Sequence, residues 1–493
     1  MKILSKLTFL LTLVLIAACG GEDNPVDPPV EFVPELTASP LSLNFSQDGG
    51  TESISVTSNT TWNVSSSASW CTSAVQTSKG NANININAAA NDVEEERSAT
   101  ITIRATDVND IIVSVTQDAR EPEPVDSSKL DYIEPDITGM ASDALVLAAK
   151  MNVGWNLVNT LEAIGGETAW GNPKATNDLI LAVKNAGFNA VRIPCSWNQY
   201  LEDQETYKIK DSWMERVQEV VNYCINNNMY AILNIHWDGG WMENNVTPDK
   251  QEEVNNKLAI IWKQIAIHFR DYDEHLLFAG ANEPNADNQE KVNVLNVYMQ
   301  TFVDVVRSTG GRNSYRNLIV QAPNTDIDLA DTYMTMPQDE AENRLFAEVH
   351  YYSPWNFCGL EEDAGWGKMF YFWGEPNHVD GAGDRNANWG EEDYVLAQFS
   401  KVKSKFADQG IPVILGEYGA LNRDLSKYEE LWQQKHNESR AYFYETVTRE
   451  SKNNGMIPFC WDNSIFDRNS ITIRDTLSYQ GLLNGSEEGL YPF

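Results

Sequence analysis

Basic residues are scarce in this chain of 493 residues, which has 36 Lys and Arg against 71 Asp and Glu. The formal net charge is therefore −35, and the isoelectric point is about 4.4. Binding of nucleic acid or anionic lipid depends on cationic side chains that neutralise phosphates. The composition thus argues against a nucleic-acid partner and favours a neutral ligand.

Cysteine and histidine are also rare, at six residues each. No C-x-x-C or C-x-x-H spacing occurs, and H-E-x-x-H, D-x-D-x-D-G and G-x-S-x-G are absent. These are the patterns of zinc sites, calcium loops and serine hydrolases, respectively. We therefore expect no disulfide framework, no metal in the site and no cofactor, whereas structural calcium bound by acidic residues outside the strands stays open.

Long apolar runs are missing outside the N-terminus, so no transmembrane helix is predicted. Lys2 and Lys6 lead into the apolar residues 7–18, and small residues precede Cys19, a pattern typical of a signal peptide over residues 1–18. The sequence "IAAC" resembles a bacterial lipobox, which implies cleavage before Cys19 and lipidation of its thiol. "GGED" resembles the export signal of surface lipoproteins in Bacteroidetes-type bacteria. We expect a lipoprotein anchored in the outer membrane and displayed on the cell surface; the alternative is an ordinary signal peptide with an incidental cysteine.

Two stretches rich in proline and acidic residues divide the rest of the chain. Residues 19–35 predict an extended tether, and residues 120–129 predict a linker. Between them, residues 36–119 consist of short runs that alternate apolar and polar residues, separated by turn residues, which predicts an antiparallel β-sandwich.

The segments "TWNVSSSASWCTSA", "RSATITI" and "VSVTQDA" of this sandwich resemble a BACON domain, an immunoglobulin-like module of Bacteroidetes surface proteins. The family name suggests carbohydrate binding. A spacer that lifts a catalytic domain from the membrane is the interpretation we favour.

Residues 130–493 contain eight strand-like apolar runs, and amphipathic stretches lie between most of them. Runs that are apolar throughout are typical of parallel strands buried on both faces. Eight such runs with helical crossovers predict a C-terminal (β/α)8 TIM barrel, whereas the alternative, a doubly wound sheet, rarely needs eight. The runs are 151–159, 189–195, 230–237, 276–284, 317–323, 344–352, 412–419 and 456–463.

Polar or aromatic side chains stand near the end of most of these runs. In a TIM barrel the strand ends meet at the catalytic face. Several charges on one buried face cost stability unless function requires them, so the pattern points to an active site. The residues are Asn159, Arg192, His236, Asn282, Glu283, His350, Tyr352, Glu417 and Trp461.

Two of them, Glu283 and Glu417, lie near the ends of the fourth and seventh runs and should face each other across the barrel mouth. Paired carboxylates on either side of a sugar are the groups that hydrolyse glycosidic bonds. Asn282 is placed to bind the 2-hydroxyl of the sugar, and Arg192 is expected to lower the pKa of Glu417.

Two further residues, His350 and Tyr352, share one face of the sixth run. We expect them to orient Glu283 and Glu417, respectively.

The order Arg, His, Asn-Glu-Pro, His-x-Tyr, Glu and Trp on these runs resembles glycoside hydrolase family 5, a family of retaining β-glycosidases. The resemblance implies that Glu283 is the general acid/base and Glu417 the nucleophile. "GWNLVNTLEA", "NIHWDGGWMEN" and "HYYSPWNFCG" resemble subfamily 4, which contains endo-β-1,4-glucanases and xyloglucanases. Trp237 departs from the pattern, since many relatives have a second histidine there.

We therefore expect a monomeric, retaining endo-β-1,4-glucanase without a cofactor, acting on a β-glucan polysaccharide, with xyloglucan as the best substrate. An aromatic insert at 353–390, beside the barrel mouth, offers stacking area for a branched chain; packing as a hydrophobic flap is the alternative. A cellulase, a mixed-linkage glucanase, a mannanase and a non-catalytic glycan-binding protein also remain open. The predicted sugar-binding residues are Asn159, Trp237, Trp241, Trp355, Trp373 and Trp461.

Overall fold

The computed structural model describes residues 33–93, 95–120 and 131–493. The chain divides into two units, Met1–Asp126 and Ser127–Phe493, which are described separately. The predicted signal peptide, Cys19, most of the tether and nearly all of the linker lie outside the described residues. Within these ranges no helix combines the length and apolar character needed to span a bilayer.

The first unit is a sandwich of two sheets. One sheet has the order β1-β3-β7-β5 and the other β2-β9-β8-β4-β6, and only β2 and β9 pair in parallel. Buried and exposed residues alternate along the strands, and the buried faces enclose Trp62, which confirms the predicted β-sandwich. The strands are β1 Leu36–Ser39, β2 Ser42–Phe45, β3 Gly50–Ser58, β4 Thr61–Ser66, β5 Cys71–Ser73, β6 Thr77–Lys79, β7 Ala82–Ala88, β8 Arg97–Ala105 and β9 Ile111–Gln117.

The second unit is a closed barrel in which each strand pairs in parallel with the next and the last pairs with the first. Nearly every residue of these strands is buried, because the inner face fills the barrel and the outer face is covered by helices. The predicted TIM barrel is confirmed. Its strands are β10 Gly154–Asn156, β11 Ala190–Ile193, β12 Tyr230–Asn234, β13 Leu276–Ala279, β14 Leu318–Gln321, β15 Leu345–Tyr351, β16 Val413–Tyr418 and β17 Met456–Cys460.

Helices fill the connections between the barrel strands. Side chains cap several N-termini; Thr176, Asn288 and Asp326 each accept a hydrogen bond from a backbone N–H of the first turn. The helices are α1 Ala144–Ala148, α2 Asn177–Asn185, α3 Asp211–Asn226, α4 Gln251–His268, α5 Gln289–Ser308, α6 Ile327–Tyr333, α7 Trp355–Cys358, α8 Glu392–Lys405, α9 Glu430–Asn453 and α10 Thr476–Glu488. A short hairpin, β18 Phe466–Asp467 with β19 Thr472–Ile473, follows β17.

Candidate active site

The two predicted catalytic carboxylates meet at the C-terminal mouth of the barrel. Glu417 lies within β16, and Glu283 lies in the turn that follows β13. A carboxylate oxygen of each residue and a ring nitrogen of His350 all lie within 4.8 Å of one another. Retaining glycosidases hold their carboxyl groups about 5–5.5 Å apart and inverting enzymes about 6.5–9.5 Å apart. The separation fits a nucleophile and leaves no room for a water between Glu417 and the sugar.

Arg192, on β11, is fully buried at the centre of the site and is surrounded by acceptors. Its Nη1 donates to Oε1 of Glu417 at 2.9 Å and to Oδ1 of Asn156 at 3.0 Å. Its Nη2 donates to Oδ1 of Asn282 at 2.8 Å, and its Nε lies 3.0 Å from Oε1 of Glu348. These contacts prevent the guanidinium from rotating away from Glu417. Arg192 therefore positions the carboxylate and also compensates its charge.

Two members of this network, Asn156 and Glu348, were missed by the sequence analysis. Asn156 is the last residue of β10, whereas the predicted Asn159 lies beyond the strand end in a left-handed turn with φ 52°. Glu348 interrupts an apolar run two residues before His350 and four before Tyr352. The two-residue period of a strand puts all three on one face, and that signal was available in the sequence.

His350 lies between the carboxylates of Glu283 and Glu348, and one ring nitrogen faces each of them. Its Nδ1 is 2.7 Å from Oε1 of Glu283 and its Nε2 is 3.2 Å from Oε1 of Glu348. Burial opposes its protonation, but the charge of Glu417 and the hydrogen bonds to Glu283 and Glu348 outweigh burial and raise its pKa to about 9. His350 is therefore an imidazolium at neutral pH, and the predicted contact with Glu283 is present.

In the free protein, the pKa shift of Glu417 differs from the one that the sequence predicted, and the pKa shift of Glu283 has the opposite sign. Arg192 does lower the pKa of Glu417, but burial is the larger effect and leaves that pKa raised. For Glu283, burial is outweighed by the hydrogen bond and charge of His350, and its pKa is lowered. The predicted net lowering at Glu417 is therefore wrong, because the sequence could not show that this carboxylate is almost completely buried.

Glycine is required beside the nucleophile because the barrel interior is crowded there. A Cβ at Gly416 would lie 2.1 Å from Oε1 of Glu348 and 2.9 Å from Nε2 of His350. Any side chain would displace the carboxylate that pairs with Arg192. The sequence "LGEYG" thus contains a glycine that the packing of the site dictates.

The remaining predicted polar residues take up supporting positions. Tyr352 donates to Oε2 of Glu417 at 3.0 Å, as predicted. Trp461 stacks on His236, with ring centroids 5.9 Å apart and planes 11° apart. Burial, with the charges of Arg192 and His350, holds the pKa of His236 well below its ordinary value, so this imidazole is neutral.

The predicted sugar-binding tryptophans divide into exposed and buried groups. Trp237 and Trp355 are 42% and 48% exposed and can stack on sugar rings. Trp241 and Trp461 are half-buried, and Nε1 of Trp241 donates to Asp238 at 2.9 Å. The roles of Asn159 and these four tryptophans in binding remain predictions.

Trp373 is a correction, because its ring is fully buried and cannot meet a substrate. Its Nε1 donates to the carbonyl of Gly390 at 2.9 Å, and its ring packs on Tyr442 and Phe443. The insert 353–390 is therefore part flap and part open surface. Phe370–Trp373 form the buried flap, whereas Trp366 and Trp389 are 66% and 44% exposed.

Three potential metal ligands, Glu283, His350 and Glu417, lie on or just after different strands of the barrel. The barrel brings their ligand atoms together. However, both ring nitrogens of His350 already lie at hydrogen-bonding distance from carboxylates, at 2.7 Å from Glu283 and 3.2 Å from Glu348. A metal ion would have to displace these hydrogen bonds, and the absence of a metal stays a prediction.

Comparison with known proteins finds a matching family for each of the two units. Residues 148–467 match the cellulase family, glycosyl hydrolase family 5, and residues 35–120 match the viral BACON domain. The chain is 38% identical over 476 residues to a xyloglucan-specific endo-β-1,4-glucanase of Bacteroides ovatus, covering 92% of this chain and 91% of the relative.

Two solved structures are also similar. A Bacteroides ovatus family 5 xyloglucanase in complex with a XXXG heptasaccharide shares 36% identity and a TM-score of 0.68, covering 92% of this chain and all of the other. A xyloglucan-specific β-1,4-glucanase from a ruminal metagenomic library, in complex with XXLG, shares 41% identity and a TM-score of 0.66, covering 71% and 98% of the two chains.

Proposed function

Since the chain belongs to glycosyl hydrolase family 5, we propose that it is a retaining endo-β-1,4-glucanase whose preferred substrate is xyloglucan. The observation that carries the reaction type is the short separation of Glu283 and Glu417, within 4.8 Å. The preference for xyloglucan is supported by the names of the similar proteins and by the exposed tryptophans beside the barrel mouth.

In the first step, Glu417 attacks the anomeric carbon. Arg192 and Tyr352 hold its two oxygens, so the carboxylate is aimed before the sugar arrives. Orientation of this kind lowers the entropic part of the barrier. The bond to the leaving sugar breaks as the covalent glycosyl-enzyme forms.

Glu283 donates a proton to the leaving oxygen. Its side chain is 44% exposed in the free protein, and His350 is hydrogen-bonded to it. A bound sugar chain covers the exposed half, and loss of water favours the neutral carboxyl. The Glu283–His350 pair holds the proton that the leaving group receives, and Glu283 then removes a proton from the water that hydrolyses the intermediate.

The substrate assignment is tested by kcat/KM on xyloglucan, barley β-glucan, carboxymethylcellulose, mannan and xylan. We expect xyloglucan to exceed the unbranched glucans by at least about tenfold, equivalent to about 1.4 kcal/mol in the transition state. A smaller ratio would mean that branches are tolerated rather than recognised. The second candidate is a cellulase or mixed-linkage glucanase, which the family's description favours, and it predicts the reverse order.

The anchor and the oligomeric state are also part of the proposal. Lipidated Cys19 would hold the protein in the outer membrane at the cell surface, as a monomer. Replacing Cys19 with Ala should release the protein from the membrane fraction, and size-exclusion chromatography with light scattering should give one chain per particle. Continued membrane association of the variant would contradict the anchor.

A further inference from the structure

A third buried glutamate, Glu243, lies against the turn that contains Glu283. Glu243 belongs to a short 3-10 turn, Glu243–Asn245, in the loop that follows β12. It is 4% exposed, and no cation pairs with it among the described residues. Its Oε1 accepts the backbone N–H of Glu283 at 2.7 Å.

The side chain of Asn282 lies beside this carboxylate and acts to lower the pKa of Glu243, against the larger effect of burial. Because Oδ1 of Asn282 accepts from Arg192, the amide nitrogen of Asn282 is the atom that faces Glu243. Hydrogen bonds run from Glu417 through Arg192 to Asn282, and the neighbouring carboxylate of Glu243 accepts the backbone N–H of Glu283. These contacts connect the nucleophile to the acid/base by a path separate from His350.

The side chain of Glu243 is not needed merely to hold the two loops together. The backbone N–H of Asn285 donates to the backbone carbonyl of Glu243 at 3.0 Å, a bond that any substitution at residue 243 preserves. The side-chain hydrogen bond goes to the backbone of Glu283, whose orientation matters for proton transfer. A buried carboxylate without a cation is costly, and such groups concentrate at functional sites.

We propose that Glu243 is a positioning residue for proton transfer: it holds the backbone N–H of Glu283 so that the Glu283 carboxyl is aimed at the glycosidic oxygen. Titratable groups whose charges act on Glu243 are Glu283 and Glu417, and burial together with these two charges raises its pKa to about 7. The inference rests on the proposed glycosidase activity.

The test uses leaving groups that need a proton to different degrees. The wild-type protein, Glu243→Ala and Glu243→Gln are assayed on aryl β-cellobiosides, from 2,4-dinitrophenyl, which leaves unassisted, to phenyl, which requires the acid. For Glu243→Ala we expect kcat/KM to stay within about threefold on the first substrate and to fall at least about thirtyfold on the second. Glu243→Gln, which keeps one acceptor oxygen, should recover part of that loss and also serves if the Ala variant does not fold.

Two controls separate positioning from general damage. Glu274→Gln removes a carboxylate that accepts the backbone N–H of Ser142. Glu274 lies just before β13, at the opposite end of the strand from Glu283. This variant should therefore show no leaving-group dependence. In a Glu283→Ala background, Glu243→Ala should add no further leaving-group dependence, because the group that it positions is gone.

An equal loss on both aryl substrates, a loss that persists in the Glu283→Ala background, or no loss at all would each overturn the inference. Wild-type turnover of the aryl substrates is measured first, and a chain with no such turnover would overturn the proposed function instead.

Discussion

Replacing Glu348 with Gln should destabilise the protein strongly below about pH 6.5 and less strongly above about pH 9. Glu348 is fully buried, and its Oε1 lies 3.0 Å from Nε of Arg192 and 3.2 Å from Nε2 of His350. Gln preserves the shape and the contact with Gln321 but removes the charge. Two buried cations then face a neutral amide.

The magnitude has two parts. Losing one partner of a buried ion pair costs roughly 3 kcal/mol, and the Arg192 pair makes this part independent of pH because Arg stays charged. The second part comes from His350, whose pKa rises from an ordinary 6.5 to about 9 on folding. This rise in the pKa of His350 corresponds to about 3 kcal/mol of stabilisation. Three carboxylates share it, so Glu348 accounts for about 1 kcal/mol.

The sign follows from proton linkage. The folded protein binds the His350 proton more tightly than the unfolded chain does, so this stabilisation is complete below about pH 6.5 and is lost as the pH rises through about 9. The difference in stability between wild type and Glu348→Gln should therefore shrink by about 1 kcal/mol between pH 6 and pH 10.

Urea unfolding of the wild-type protein and the variant across this range measures the difference. Glu167→Gln is the matched control, since Glu167 is buried and pairs with Arg216 at 2.6 Å without a histidine partner. Its loss should be the same at every pH. A pH-independent loss in Glu348→Gln would refute the reasoning, because His350 would then not draw its charge from Glu348.

Three further predictions concern the catalytic groups, the domains and the insert. Glu417→Ala should abolish turnover, whereas Glu283→Ala should retain cleavage of aryl glycosides with good leaving groups and be accelerated by azide; azide rescue of Glu417→Ala with retained configuration would reverse the assignment. A chain of residues 127–493 should keep the kcat of the full-length protein on soluble glucan, and a large loss would show that the sandwich contributes to the site. Trp355→Ala should raise KM on the polymer about tenfold with little change in stability, whereas Trp373→Ala should cost roughly 3–5 kcal/mol of unfolding free energy; equal effects on stability would contradict their different burial.

The barrel and its reacting carboxylates could be predicted from the sequence. Continuous apolar runs are typical of strands that are buried on both faces, and eight such strands close into a barrel. Glu283 and Glu417 were identifiable because parallel strands bring their C-terminal ends to one edge whatever the rest of the chain does. His350 and Tyr352 followed from the two-residue period of a strand.

The charge states of these groups and the contacts that support them could not be predicted from the sequence, because they depend on packing. Asn156 and Arg192 lie opposite each other on the paired strands β10 and β11, whereas Glu348 comes from β15, and barrel closure brings it to 3.0 Å from Arg192. The pKa of Glu417 depends on how much water reaches it, a property of the packed interior rather than of neighbouring residues. Trp355 and Trp373 are the same residue type in one aromatic insert, and which of them is exposed depends on the surface against which the insert folds.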